Sequence, residues 1–323
     1  MKKLLPIPHI PTKTFIYSAS LGVIVNNENA AYDWESLNCL KLWYIFPNGL
    51  DFPEVLKISK KMEIPFLRRF NKYNGEYYTI IQSKDSIINY LKCEIDQGHY
   101  IYLFVEQYYI PGLGAYKRYR YQHDCLVYGY DDEKKCFLIL TYALNKQFDS
   151  LNVSYDDMTI SIIKNNGSRR FFISCMPRHS NFALNVNDIY FFLSIYGNVT
   201  SNSDQSIKMN LGVYESLIEL VVMSWNYELD LRSYRLLVEH IASIEYIIDR
   251  LIVMLPNENF LAEKKLAQCC LKQSHLLFML VIKYNVKKDE NLRHNIVNKL
   301  QQLYGTERDL INILTDKLIS HIK

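Results

Sequence analysis

Glycine is scarce in this chain. Its 323 residues include 11 glycines and no GxxxxGKS/T or GxGxxG pattern, so a glycine-built phosphate cradle is not expected. Paired cysteines are missing as well. Cys39, Cys93, Cys125, Cys136, Cys175, Cys269 and Cys270 are odd in number, irregularly spaced and free of any CxxC pair. That argues against a disulfide framework and against a zinc ribbon or finger, and predicts mostly packed, reduced thiols. No motif implies a metal or a cofactor. Charge of one sign is lacking too: 37 basic against 34 acidic residues leave a net charge of +3. Bulk nucleic-acid binding needs a clustered basic footprint and is not expected. The apolar run Leu276–Ile282 is seven residues long, whereas a membrane-spanning helix needs about 20. The start Met1-Lys2-Lys3-Leu4-Leu5 imitates a secretion signal, but Pro6, Pro8 and Pro11 interrupt it before an apolar core forms. These absences predict a cytoplasmic protein without a membrane span.

What is present is an ordinary globular balance, 49% apolar and 22% charged. The length suits about two domains. Tyrosine is abundant, at 26 residues, and suits broad sheet or interface surfaces because its ring packs while its hydroxyl stays wet. Helices are predicted first, over Ser18–Val25, Trp34–Phe46 and Asp85–Asp96. In the second, Leu37, Leu40 and Tyr44 share a helical face; in the third, Ile87, Ile88, Leu91 and Ile95 do. Strands follow, over Tyr100–Val105, Gln122–Tyr130, Cys136–Tyr142, Phe148–Val153 and Arg170–Cys175. The polar run Asp131–Lys135 reads as a hairpin connection. Helices first and antiparallel strands after is the order of an α+β domain.

The character changes near residue 180. Residues 181–205 read as a linker, polar from Asn198 onward, and a helical bundle is predicted over 206–323. Leu237, Ile241, Ile244, Ile248, Leu251 and Leu255 make one apolar stripe before Pro256 stops the helix. Leu217, Leu220, Val221 and Trp225 form an earlier stripe; Leu277, Leu280 and Tyr284 a later one; Leu310 and Leu314 lie on the last. The Leu237–Leu255 stripe reads as core, or as the seam of a homodimer.

The segment with chemical character is Tyr121-Gln122-His123-Asp124-Cys125-Leu126-Val127-Tyr128-Gly129-Tyr130-Asp131-Asp132. A histidine opens a hydrophobic strand, a Gly-Tyr-Asp turn closes it, and a second apolar strand returns through Phe137 to Leu140. This resembles the histidine strand of papain-like folds, in the variant of bacteriocin-processing peptidases and of the butirosin biosynthesis protein H N-terminal family. Glu106-Gln107-Tyr108-Tyr109-Ile110-Pro111 is similar to that family's strand-to-loop segment. Leu211–Glu215 and Leu229–His240 are similar to the helical C-terminal parts of proteins of this type from peptide and antibiotic biosynthesis clusters. The resemblance implies an α+β fold: a papain-like domain with an antiparallel sheet over 1–180, then the all-helical bundle. It also implies acyl or peptidyl transfer, in which a cysteine thiolate attacks a thioester or amide, a histidine moves the proton and an acid or amide holds the ring.

On this sequence the roles fall unevenly. His123 matches the general base, with a satisfied core histidine as the other reading. The small-residue helix start would be Ser18-Ala19-Ser20-Leu21, yet none of Thr14, Phe15, Ile16 and Tyr17 before it is cysteine, and residues 1–17 hold no glutamine for an oxyanion hole. Ser18 is the nearest hydroxyl, either as helix N-cap or as nucleophile. The orienting group would fall near Leu140–Tyr142, where Thr141 is the best match. Asp124 should point to the opposite sheet face from His123. Cys125 shares the His123 face, but a same-strand neighbour diverges too far for good proton transfer. Lys117, Arg118 and Arg120, interleaved with tyrosines, form with Tyr109 the candidate partner- or substrate-binding set, for a carrier protein, a phosphopantetheine phosphate or a peptide; a solvated loop is the plainer reading. Two functions follow. One is an acyl or peptidyl transferase with a degenerate Cys-His site. The other is a non-catalytic papain-like protein that binds a carrier protein, a peptide or an active paralogue.

Overall fold

The stretch Cys136–Tyr142 returns antiparallel to Gln122–Asp131 because Asp131 closes the turn between them. Its Oδ1 accepts from the Glu133 and Lys134 amides, each at 3.1 Å, as aspartate does in tight turns. In the computed structural model the described residues are 1–7, 14–25, 29–45, 49–51, 63–144, 148–197, 207–224 and 227–322. Along the chain the elements are β1 (Lys2–Leu4), α1 (Ile16–Val25), α2 (Asn29–Cys39), β2 (Trp43–Ile45), β3 (Gly49–Asp51), β4 (Leu67–Tyr73), α3 (Asn74–Ile80), α4 (Lys84–Asp96), β5 (Tyr100–Glu106), β6 (Gln122–Asp131), β7 (Cys136–Tyr142), β8 (Phe148–Ser154), α5 (Tyr155–Ile163) and β9 (Phe171–Pro177). They continue as α6 (Val186–Gly197), β10 (Ile207–Met209), α7 (Val213–Met223), α8 (Leu231–Met254), α9 (Leu261–Lys287) and α10 (Glu290–Leu318). The protein is α+β, with an antiparallel sheet early and helices late. It divides into two compact units, residues 1–31 with 55–181 and residues 32–54 with 182–323.

In the first unit the described strands form a seven-stranded antiparallel sheet in the order β4-β9-β5-β6-β7-β8, with β1 also on β6. Every residue of β5 is buried, which explains its unbroken apolar sequence: both faces are covered. The ladder sets Asp124 opposite Phe104 and Leu126 opposite Tyr102, on one face, while His123 and Cys125 pair with Val105 and Leu103 on the other. On the second face lies α4, whose Tyr90 hydroxyl meets Ser174 Oγ at 3.1 Å and whose Tyr90 ring tilts on Phe172. α1 packs on β6, β7 and β9.

Several boundaries differ from those expected. The helix predicted over Trp34–Phe46 ends at Cys39, and Trp43–Ile45 is a strand paired on both sides, with β10 and β3. Apolar residues at Leu37, Leu40 and Tyr44 fit helical spacing, but tertiary pairing of Tyr44 with Leu50 and Lys208 decides the state. Phe46 lies outside the described residues. Residues 186–197, inside the stretch read as a linker, form α6 in the second unit. Residues 198–205, the polar part of that stretch, lie outside the described residues, as does Trp225.

In the second unit Leu237, Ile241, Ile244, Ile248 and Leu251 of α8 are all buried, so the stripe is core. α9 packs on both α8 and α10. Deep in this unit the Glu307 carboxylate of α10 accepts from three donors. The Tyr196 hydroxyl and His240 Nε2 reach Oε1 at 2.5 and 2.9 Å, and the Tyr214 hydroxyl reaches Oε2. His240 Nδ1 donates to the Cys39 carbonyl at 2.8 Å. Burial and the Glu307 charge hold both phenols well above their usual range, so they remain donors. No described helix is long and apolar enough to cross a membrane.

Candidate active site

His123 is the second residue of β6, at a place where pairing is one-sided. The β5 ladder runs from Ile101↔Val127 to Glu106↔Gln122, but the β7 ladder stops at Leu126↔Leu140. Beyond that point Thr141 Oγ1 donates to the Asp124 carbonyl at 3.3 Å. The ladder keeps Asp124 on the opposite sheet face from His123, as expected, yet its Oδ1 lies 2.6 Å from His123 Nδ1.

The Asp124 amide also lies 2.9 Å from the same Nδ1. That amide makes the hydrogen bond at Nδ1, and the carboxylate beside it is a close charge contact. The other carboxylate oxygen accepts the Tyr102 hydroxyl. Burial foremost, with the Asp124 charge next, holds Tyr102 well above the usual phenol range, so it stays a donor. Tyr121 tilts against the His123 ring at 5.3 Å between centroids. The His123 side chain is 30% exposed, and among the described residues nothing hydrogen-bonds its Nε2.

The remaining expected residues are placed as follows. Helix α1 begins at Ile16, two residues earlier than expected, so Ser18 sits inside the first turn rather than at the N-cap. Its hydroxyl donates to the Phe15 carbonyl at 3.0 Å. Thr141 is buried and engages the Asp124 backbone, not the imidazole. Cys125 is fully buried, and burial together with the Asp124 charge pushes its thiol up, the reverse of an activated thiolate. Lys117, Arg118 and Arg120 are exposed. Arg120 stacks over the rings of Tyr108 and Tyr109 at 4.8 and 4.7 Å, which brings Tyr109 and Arg120 together.

Sequence reasoning missed Tyr102, and it read Arg169 with Arg170 only as a basic pair, either for a carrier protein or phosphopantetheine phosphate or as a solvated loop. Tyr102 is hidden in a continuous apolar run; only its diagonal position to Asp124 across the ladder identifies it. Arg169 acts on the Tyr102 hydroxyl electrostatically and lies 5.0 Å over the Phe104 ring. Among the described residues no group of three or more His, Cys, Asp or Glu side chains is arranged to hold a metal. A scan against models of known protein families finds no match, and a search of curated proteins finds none.

Proposed function

We propose that the first unit is a papain-like acyl-transfer unit in which His123 acts as general base directly on the acceptor. The observation that carries this reading is the His123 ring, set against the Asp124 carboxylate, which the Tyr102 hydroxyl engages, with Nε2 unengaged at a half-open position. In this reading the Nδ1 proton faces that carboxylate and Nε2 is the base that proton transfer needs. The raised Cys125 thiol and the bonded Ser18 hydroxyl favour direct transfer over a covalent enzyme intermediate. In that step the acceptor's O–H or N–H proton passes to Nε2. Its lone pair forms the new bond to the thioester carbonyl carbon, the C–S bond breaks, and the leaving thiolate takes the proton back from the imidazolium. Lys117, Arg118 and Arg120 would face the acyl donor or its carrier, with the helical unit as the place of any homodimer contact. All seven cysteines are free, which fits a reducing, cytoplasmic setting.

The test is thiol release from S-acetyl-N-acetylcysteamine with an amine acceptor. His123→Gln should lower the rate by about 100-fold or more, and Asp124→Asn should lower it as well. A second reading rests on a different observation: no described hydroxyl or thiol hydrogen-bonds His123. It makes the unit a non-catalytic binder of a peptide, a carrier protein or an active paralogue. Equal rates for the wild type and His123→Gln would favour it.

A further inference from the structure

We infer that Arg169 is the anion-holding residue of the His123 site, so that the molecule acted on carries a carboxylate or phosphate close to the reacting bond. This rests on the reading of His123 as the reactive centre and adds a class of substrate to it. Arg169 is exposed, and among the described residues it makes no ion pair. An unpaired guanidinium is ordinary on a mobile side chain, but this one is carried by a fixed loop. Gln122, the residue before His123, donates through Nε2 to the Arg169 carbonyl at 2.7 Å and to Asn165 Oδ1 at 2.7 Å. Asn165 is buried and donates to the Phe104 carbonyl at 3.1 Å, which ties the loop to the β5 backbone.

The loop also passes close to the Gln122 amide at Gly167. A Cβ there would come within 2.2 Å of Gln122 Oε1. The guanidinium itself lies over Phe104, the residue paired with Asp124, on the sheet face that carries Asp124 and Tyr102. The Asp124 carboxylate and the Tyr102 phenol thus share their sheet face with a planar cation whose loop is held by the base's own chain neighbour. A guanidinium fork donates in pairs to carboxylate and phosphate oxygens. An anionic substrate would therefore be drawn in and oriented before reaction.

The test is binding, so it does not require turnover. Inorganic phosphate and acetate are titrated separately into the full chain while the His123 ring signals are followed by NMR. Saturable shifts are expected with at least one of the two anions, and whichever binds more tightly distinguishes a phosphate-bearing from a carboxylate-bearing substrate. Arg169→Gln should weaken that binding tenfold or more, and Arg169→Lys should restore part of it. Absence of a saturable shift with both anions overturns the inference, as does equal affinity in the Arg169→Gln variant. Failure of the acyl-transfer reading would show instead as His123→Gln retaining full turnover, whatever the anion titration gives.

Discussion

The Asp124 carboxylate grips the imidazole of its own chain neighbour, Oδ1 to Nδ1 at 2.6 Å. Two consecutive strand residues meet in this way because the sheet border beside them is open on the β7 side. The contact sets a carboxylate against a single motif histidine, and the Tyr102 hydroxyl donates to the far side of the same carboxylate.

Gly167 tests how the Arg169 loop is held. Gly167→Ala must displace the Gln122 amide, which binds both Asn165 and the Arg169 carbonyl. Losing those two bonds should cost about 1–2 kcal/mol and loosen residues 164–170. Hydrogen exchange read peptide by peptide checks it; unchanged protection in that loop would contradict the account.

Thiol chemistry tests the absence of a cysteine nucleophile. Cys93 and Cys269 are exposed and the other five cysteines are buried. Native protein should therefore show two accessible thiols, while burial pushes the Cys175 thiol up to about 12. A thiol that reacts quickly below neutral pH would identify a nucleophile outside this scheme.

Much of the sheet was legible in the sequence, and for a physical reason. β5, β6 and β7 are long apolar runs set apart by turn chemistry, so Cys136–Tyr142 was placed to the residue. β4 was missed because, among the described residues, it is an edge strand: Leu67–Tyr73 pairs there only with β9 and carries Arg68, Arg69 and Lys72, as edges do. His123 was legible as part of a motif. Its partners were not, because Asp124 depends on an open border and Tyr102 on ladder register, and neither is a property of local sequence.

Glu307 is a fully buried carboxylate of the second unit. Glu307 satisfies Tyr196, Tyr214 and His240 at once. Glu307→Ala leaves three buried donors without their acceptor and should cost about 3–5 kcal/mol. Glu307→Gln keeps an acceptor oxygen and should cost less. Urea unfolding of both variants checks the order.

Alkaline pH should weaken the first unit. Burial raises Tyr77 and Tyr100 from 10.0 to about 12. The folded state keeps these protons after the unfolded chain has lost them, so their contribution is full below pH 10 and is lost as the pH rises toward 12. Tyrosinate absorbance should show a late-ionising class, reduced in Tyr100→Phe. Complete ionisation near pH 10 in the folded protein would contradict the burial seen here.

The most direct measurement is the nitrogen-15 NMR spectrum of the His123 ring, assigned by comparison with His123→Gln and recorded near neutral pH. The account predicts a protonated Nδ1 and a bare Nε2, with that preference lost in Asp124→Asn. A bare Nδ1, or a tautomer unaffected by Asp124→Asn, would contradict the claim that Asp124 makes His123 a base aimed outward.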